Sequence, residues 1–242
     1  MNPFAAGLAL VATALASGAK DCDLKLTSYK FGTKGHFPVS SILVSGSNNA
    51  ILDSGKTLTT IYIAHGDPDY YFGHRRPHQR DRGRKTKVLG SDPRVRRPKA
   101  TILPSVLHGN KLELEGHCLN IQGQTDRSYV WIPDLKAVID GVLLVNNIRA
   151  FLADTPTPQS HSKWTKTHKP NVIVPGHALV GAGADIDSPA YTIKYIQDYD
   201  AATTKAANGP ALTAALVALY LDASSLISLN SAAVAKGELK WP

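Results

Sequence analysis

Thr60-Ile-Tyr-Ile-Ala-His-Gly-Asp-Pro-Asp-Tyr-Tyr-Phe-Gly73 decides how this chain is read. Its first residues are an apolar, β-branched run of strand character. They lead into His65, Asp67 and Asp69, spaced two apart, and the segment then turns at Pro68 and enters a predicted helix. Much later Asn171-Val-Ile-Val-Pro-Gly-His177 repeats the pattern, an apolar strand ending in a histidine. Two strand ends that each deliver nitrogen or oxygen ligands point to a metal site between them.

The remaining composition sets bounds. A chain of 242 residues with a hydrophobic fraction of 43% suffices for one α/β domain with its own core. Residues 4–19 are apolar but too few to span a bilayer, so no stable membrane insertion is expected. Ala14-Leu15-Ala16, or Ser17-Gly18-Ala19, fits a signal-peptidase site, although no Lys or Arg precedes the run. Residues 1–19 therefore read as a signal peptide of a secreted or periplasmic protein, with 20–242 as one domain. A buried N-terminal helix or strand is the alternative. Cys22 and Cys118 form no C-x-x-C or zinc-ribbon spacing, and both a disulfide and two unrelated thiols stay open.

Charge is concentrated in one place. Of 27 basic and 19 acidic residues, ten and two lie in residues 74–98, which leaves 17 of each elsewhere. That segment carries the whole net charge of +8. Val88, Leu89 and Val95 are its only aliphatic residues, too few to offset the entropy of ordering it, so it reads as a disordered basic insert. Ten positive charges would bind phosphate in a salt-dependent way. The segment has no aromatic residue for base stacking and no amphipathic stripe for a membrane surface. Its Arg, Pro, Gly and His content also matches GC-rich coding sequence read out of frame.

Predicted strands run over residues 24–29, 39–44, 57–64, 101–103, 111–115, 118–121, 128–132, 137–145 and 171–174. The C-terminal third is predicted helical, with Leu212, Leu216 and Leu219 at helical spacing and Pro210 in a first turn. There is no Gly-x-Ser-x-Gly elbow, Walker loop or dinucleotide fingerprint.

The two histidine-bearing strands resemble the metallo-β-lactamase superfamily, whose first motif is H-x-H-x-D-H and whose late motif is P-G-H. Phe37-Pro-Val-Ser-Ser-Ile-Leu-Val44, Tyr129-Val-Trp-Ile-Pro133 and Phe151-Leu-Ala-Asp-Thr155 are similar to other parts of that fold. Ala235-Lys-Gly-Glu-Leu-Lys-Trp-Pro242 is similar to the end of a secreted subgroup that carries the His-Gly-Asp-Pro-Asp-Tyr form of the motif. The resemblance implies an α/β fold, a four-layer αββα sandwich. It also implies that the sandwich is incomplete here. A helix expected before Asp53 is missing, and residues 74–98 stand where the family has a helix, a strand and a helix.

The resemblance implies a ligand set as well. His65, Asp69 and His177 keep the family's positions. Asp67 and Tyr70 stand where the motif has its second and last histidines. Gln124 falls at the third histidine and Val142 at the bridging aspartate, with Asp140 close by but differently directed along a strand. Neutral Gln is a weak ligand, and a phenol of pKa about 10 is costly to ionise. The expected site is therefore His65, Asp67, Asp69 and His177 around at most one zinc or other divalent ion, with Asp69 also the candidate catalytic residue. Such an ion lowers the pKa of bound water to about 7 and supplies hydroxide. The implied activity is hydrolysis of an ester, thioester, lactone or amide in a small-molecule substrate. Two other readings remain, a non-catalytic or broken relative of the fold and a basic nucleic-acid-binding protein acting through residues 74–98.

Trypsin under native conditions is expected to cut first within residues 74–98, at several arginines, as read by mass spectrometry of the earliest fragments. Survival of that segment while other sites are cleaved would show that it is packed.

Overall fold

The computed structural model of the chain describes residues 11–17, 23–30, 40–47, 49–51, 57–64, 87–90, 105–123, 127–152, 169–178, 186–223 and 228–240. The first sheet has the order β1 (Val11–Ser17), β2 (Lys25–Lys30), β3 (Ser40–Ser45), β4 (Asn49–Ile51) and β5 (Thr57–Leu58). Its first four strands are antiparallel, and β4 pairs with β5 in parallel. Val11–Ser17 falls within the expected leader and here forms the edge strand.

The strand expected over residues 57–64 divides in two. Its first part is β5, and β6 (Thr60–Ile63) opens a small parallel sheet with β7 (Lys87–Gly90) and β8 (Ser105–Val106). Ile61 is half-buried and Ile63 buried, so the run is not covered throughout. Within residues 74–98, expected to be a disordered insert, residues 87–90 form the strand β7. Val88 and Leu89 are adjacent aliphatic residues, and β6 offers them a parallel partner in register Ile61 to Val88. Leu89 packs against the main core. Tryptic cleavage is then expected at arginines on either side of β7. The rest of that basic segment lies outside the described residues, as do the predicted strand at 101–103 and Cys22.

The second sheet has the order β14 (Val172–Val174), β12 (Ala137–Ile139), β11 (Ser128–Ile132), β10 (His117–Gly123) and β9 (Lys111–Leu114). β9 and β10 form a hairpin through Glu115-Gly116, both at positive φ, as a two-residue turn between twisted strands requires. Period-two alternation divides this sheet cleanly. Val130, Ile132, Ala137 and Ile139 face the first sheet, where they join Leu24, Leu26 and Val44. Tyr129, Val138 and Ile173 face the other way and pack with Leu143 and Leu144. The strand expected over residues 137–145 is interrupted after Ile139 by a turn and resumes as β13 (Val145–Asn146), which pairs in parallel with β15 (His177–Ala178).

Among the described residues the helices all belong to the C-terminal part, as α1 (Ser188–Lys205), α2 (Gly209–Leu219) and α3 (Ser228–Ala235). Asn208 caps α2 by accepting from the Ala211 N–H at 2.8 Å, and Pro210 sits in the first turn, where no N–H is missed. Leu212 and Leu216 are buried, whereas Leu219 is 58% exposed, so the inward stripe ends one turn early. None of these helices is long and apolar enough to cross a membrane.

Ile132→Ala, at a fully buried position between the sheets, is expected to lower the unfolding free energy by roughly 2–5 kcal/mol. Leu219→Ala should stay within about 0.5 kcal/mol of the parent. Equal costs in urea denaturation would mean that the core is not where these strands place it.

Candidate functional site

Five strands come together at one end of the second sheet. β6 finishes at Ala64, whose carbonyl accepts from the Ser128 N–H at 3.1 Å and the Ser128 hydroxyl at 3.0 Å. The Tyr62 hydroxyl lies 2.7 Å from the same Ser128 Oγ. A hydrogen bond therefore ties the start of β11 to the residue that follows β6. β10 ends at Gly123, paired with Ser128. β12 leads to Gly141, and β14 leads through Pro175 and Gly176 to His177.

Two glycines make this convergence possible. A Cβ on Gly176 would lie 1.6 Å from the Gly141 carbonyl oxygen, so only glycine lets the two turns cross. A Cβ on Gly141 would lie 2.7 Å from the Ser128 carbonyl oxygen and 2.8 Å from the Ala64 Cβ. Gly141 thus seats the β12 end against both β6 and β11.

Asp140 fixes the turn that follows. Its carboxylate oxygen Oδ2 accepts from the Leu144 N–H at 2.6 Å and, at 3.4 Å, from the Gly176 N–H. The Asp140 N–H in turn donates to Val174 at 2.9 Å. The His177 N–H reaches the Leu144 carbonyl at 3.5 Å. Asp140 therefore ties both the 141–144 turn and the turn before His177 to one carboxylate. It is buried, and its Oδ1 has no hydrogen-bond partner among the described residues. Burial pushes this carboxyl up to about 7, against the opposing pull of the backbone amides of Leu144, Gly176, Gly141 and Leu143. Burial, with the Asp140 charge added, pushes Tyr129 up to about 12, and its hydroxyl donates to Gln122 at 2.7 Å.

His177, the described member of the expected ligand set, is buried at the start of β15, in register with Val145. His65, Asp67, Asp69, Tyr70 and Gln124 lie outside the described residues. The residues that precede three of these positions do not. Ala64 comes before His65, Gly123 before Gln124, and Gly176 before His177. All three stand at the same end of the second sheet, as does Gly141 before Val142. Val142 is half-buried in the turn. Asp140 is spent on backbone amides rather than offered at this end. Among the described residues no group of three or more His, Cys, Asp or Glu side chains is placed to hold a metal ion. Sequence reasoning missed the organising role of Asp140. Its signal is an acid followed by glycine at the close of an apolar strand, where a carboxylate meets free turn amides.

No protein-family model matches the chain, and no curated protein matches it. Solved structures do. A metallo-beta-lactamase from Pontibacter korlensis superposes with a TM-score of 0.56 at 17% identity, over 78% of this chain and 99% of that one. The structure of TMB-1 gives 0.54 at 17% identity, over 79% and 98%. One from Hirschia baltica gives 0.53 at 10% identity, over 77% and 97%. At such identities the likeness shows the fold, and the chain has the mixed α/β fold of these proteins.

The ionisation of Asp140 has a stability consequence. Unfolded, the group titrates near 3.8, and folded near 7, so the native chain holds an extra proton between those values. Its contribution is complete below about pH 4 and is lost as pH rises towards 7. Asp140→Asn removes this dependence. In urea denaturation at several pH values the variant should gain on the parent by up to about 4 kcal/mol between pH 4 and 8. A difference that stays constant over that range would show that Asp140 does not titrate there.

Proposed function

We propose that the chain is a metal-dependent hydrolase of the metallo-β-lactamase fold with a reduced metal site. The observation that carries this reading is the meeting of the β6 end, before His65-Gly-Asp-Pro-Asp69, with the Gly141 and Gly176-His177 turns at one end of the second sheet. His65, Asp67, Asp69 and His177 would hold one divalent ion, zinc or another, through two imidazoles and two carboxylates, a mixed nitrogen and oxygen set. Such an ion supplies a lowered water pKa, and thereby a nucleophile at neutral pH, for an ester, thioester, lactone or amide.

The chain's own residues supply the frame. Asp140 holds the backbone that presents His177, through the Gly176 and Leu144 amides. Ser128 and Tyr62 hold Ala64, and so the point where the chain departs towards His65. Asp69 would orient the attacking water as well as bind. Gln124, Tyr70 and Val142, at positions where the resembling family has ligands, support a single weak site rather than two strong ones. They also support the alternative of a non-catalytic relative. For nucleic-acid binding through residues 74–98, Lys87 on β7 stays exposed and so keeps its charge available. Residues 1–19 support export of the chain, in which case cleavage would leave β2 as the edge of the first sheet.

Elemental analysis of the dialysed protein is expected to find no more than one divalent ion per chain, removed by chelator with a lower thermal midpoint. His177→Ala and His65→Ala should each abolish the retained ion. Two tightly held zinc ions would contradict the reduced site, and no ion under saturating zinc would favour the non-catalytic relative.

A further inference from the structure

At the opposite end of the second sheet from the candidate site, one histidine is held between two carboxylates. β10 runs from His117 to Gly123, so His117 is about 20 Å along the strand from the site end. The His117 Nδ1 lies 2.7 Å from Asp134 Oδ2, and Nε2 lies 3.1 Å from Asp23 Oδ1. Asp134 belongs to the 3-10 turn Pro133–Leu135 after β11, in the second sheet's own chain. Asp23 stands at the entry to β2, in the first sheet. Asp23 also accepts from the Ser47 hydroxyl, and Glu115, from the β9–β10 turn, accepts from the Ser47 N–H at 2.8 Å. The histidine therefore bridges the two sheets beside a second bridge made by Ser47.

The stereochemistry determines its charge. An ionised carboxylate only accepts, and a neutral imidazole has a single N–H. Both contacts are hydrogen bonds only if both ring nitrogens carry protons, as in the imidazolium. We infer that His117 is a pH-operated clamp, which as an imidazolium pins the first sheet to the second through Asp23 and Asp134, and which releases one of them on losing a proton. The carboxylates acting on the ring are Asp134, whose hydrogen bond raises its pKa most, and Asp23; partial burial works against both. Asp23 is held low by Ser47 first and His117 second. The clamp is therefore complete below the ordinary histidine range while both carboxylates are ionised, and is lost as pH rises through a midpoint above that range. Asp140, at the other end of the sheet, acts on the stability of the whole domain, and its effect is separable because it is present equally in parent and His117→Gln protein.

The test is an NMR titration of the labelled full chain, following the His117 ring resonances, with amide exchange of β2 measured at the same pH values. His117 is expected to titrate above the range of free histidine. Asp134→Asn should lower the midpoint strongly and Asp23→Asn more weakly. Protection of the β2 amides should fall several-fold, beyond the intrinsic pH effect on exchange, as the parent passes through that midpoint. In His117→Gln that step should be absent, leaving the intrinsic effect and the pH dependence of global stability that Asp140 sets. A parent midpoint at or below free histidine would overturn the clamp. So would β2 protection with the same pH dependence in parent and Asp134→Asn protein, a comparison that stands even if His117→Gln fails to fold.

Discussion

The crossing of Gly141 and Gly176 is the contact on which the site end depends. With 1.6 Å between one turn's carbonyl oxygen and the place where the other's Cβ would be, no side chain is tolerated. The two turns are adjacent only because β12 and β14 are parallel neighbours in strict register, Ala137 to Val172 and Ile139 to Val174. Parallel strands end at the same side of a sheet. Whatever follows them is therefore delivered to one place, and here that is Val142 on one side and His177 on the other. Ala64 joins them through Ser128, which brings in β6 from a different sheet.

Holding two crossing turns leaves backbone amides without strand partners, and Asp140 answers that need. A buried carboxylate is costly by itself. Two amides converging on Oδ2 offset part of that cost, and burial of the carboxyl leaves the remainder as a raised pKa. Support for the same region comes from the helix layer. Thr192 of α1 accepts from the Val145 N–H at 3.0 Å, and its hydroxyl proton is offered to the Ser188 and Val145 carbonyls. Tyr191, one residue earlier, donates to the Ile148 carbonyl at 3.2 Å. α1 thus stitches down the strand that pairs with His177. Tyr195 and Tyr199, spaced at helical intervals with Tyr191, fill the space between α1 and the other helices.

Much of the fold was legible because it obeys a single periodicity. Ser128–Ile132 was read to its exact bounds, since Tyr129 and Trp131 alternate with Val130 and Ile132 and each pair has its own core. The C-terminal helices were legible from the spacing of Leu212 and Leu216. Three features were not, each for a local reason. Residues 57–64 form one apolar run by composition, yet the chain changes sheet at Thr59, where its carbonyl accepts from Lys87 across to β7. Residues 137–145 read as one strand because Val-Ile before Asp140 and Leu-Leu-Val after it are both strand-like, while the acid that breaks them finds its partners only in three dimensions. β7 was hidden because only Val88 and Leu89 carry its signal amid ten basic residues. Of the candidate site, the strands that precede His65 and His177 were legible. The glycine crossing was not, since nothing local to either turn reveals that the other passes beside it.

The two ends of the sandwich are fastened by different physics. At the site end the contacts are backbone to backbone, or backbone to a carboxyl sealed from water, so they are short, geometric and little affected by ionic strength. At the other end His117, Asp23, Asp134, Glu115 and Ser47 fasten the sheets through partly exposed polar side chains. Exposed ion pairs contribute little each and are screened by salt. Between the ends lies a continuous apolar core from Leu24 to Ile139, which carries most of the cohesion. Loosening the titratable end therefore need not unfold the sandwich. The apolar core and the glycine crossing do not depend on that end's charge.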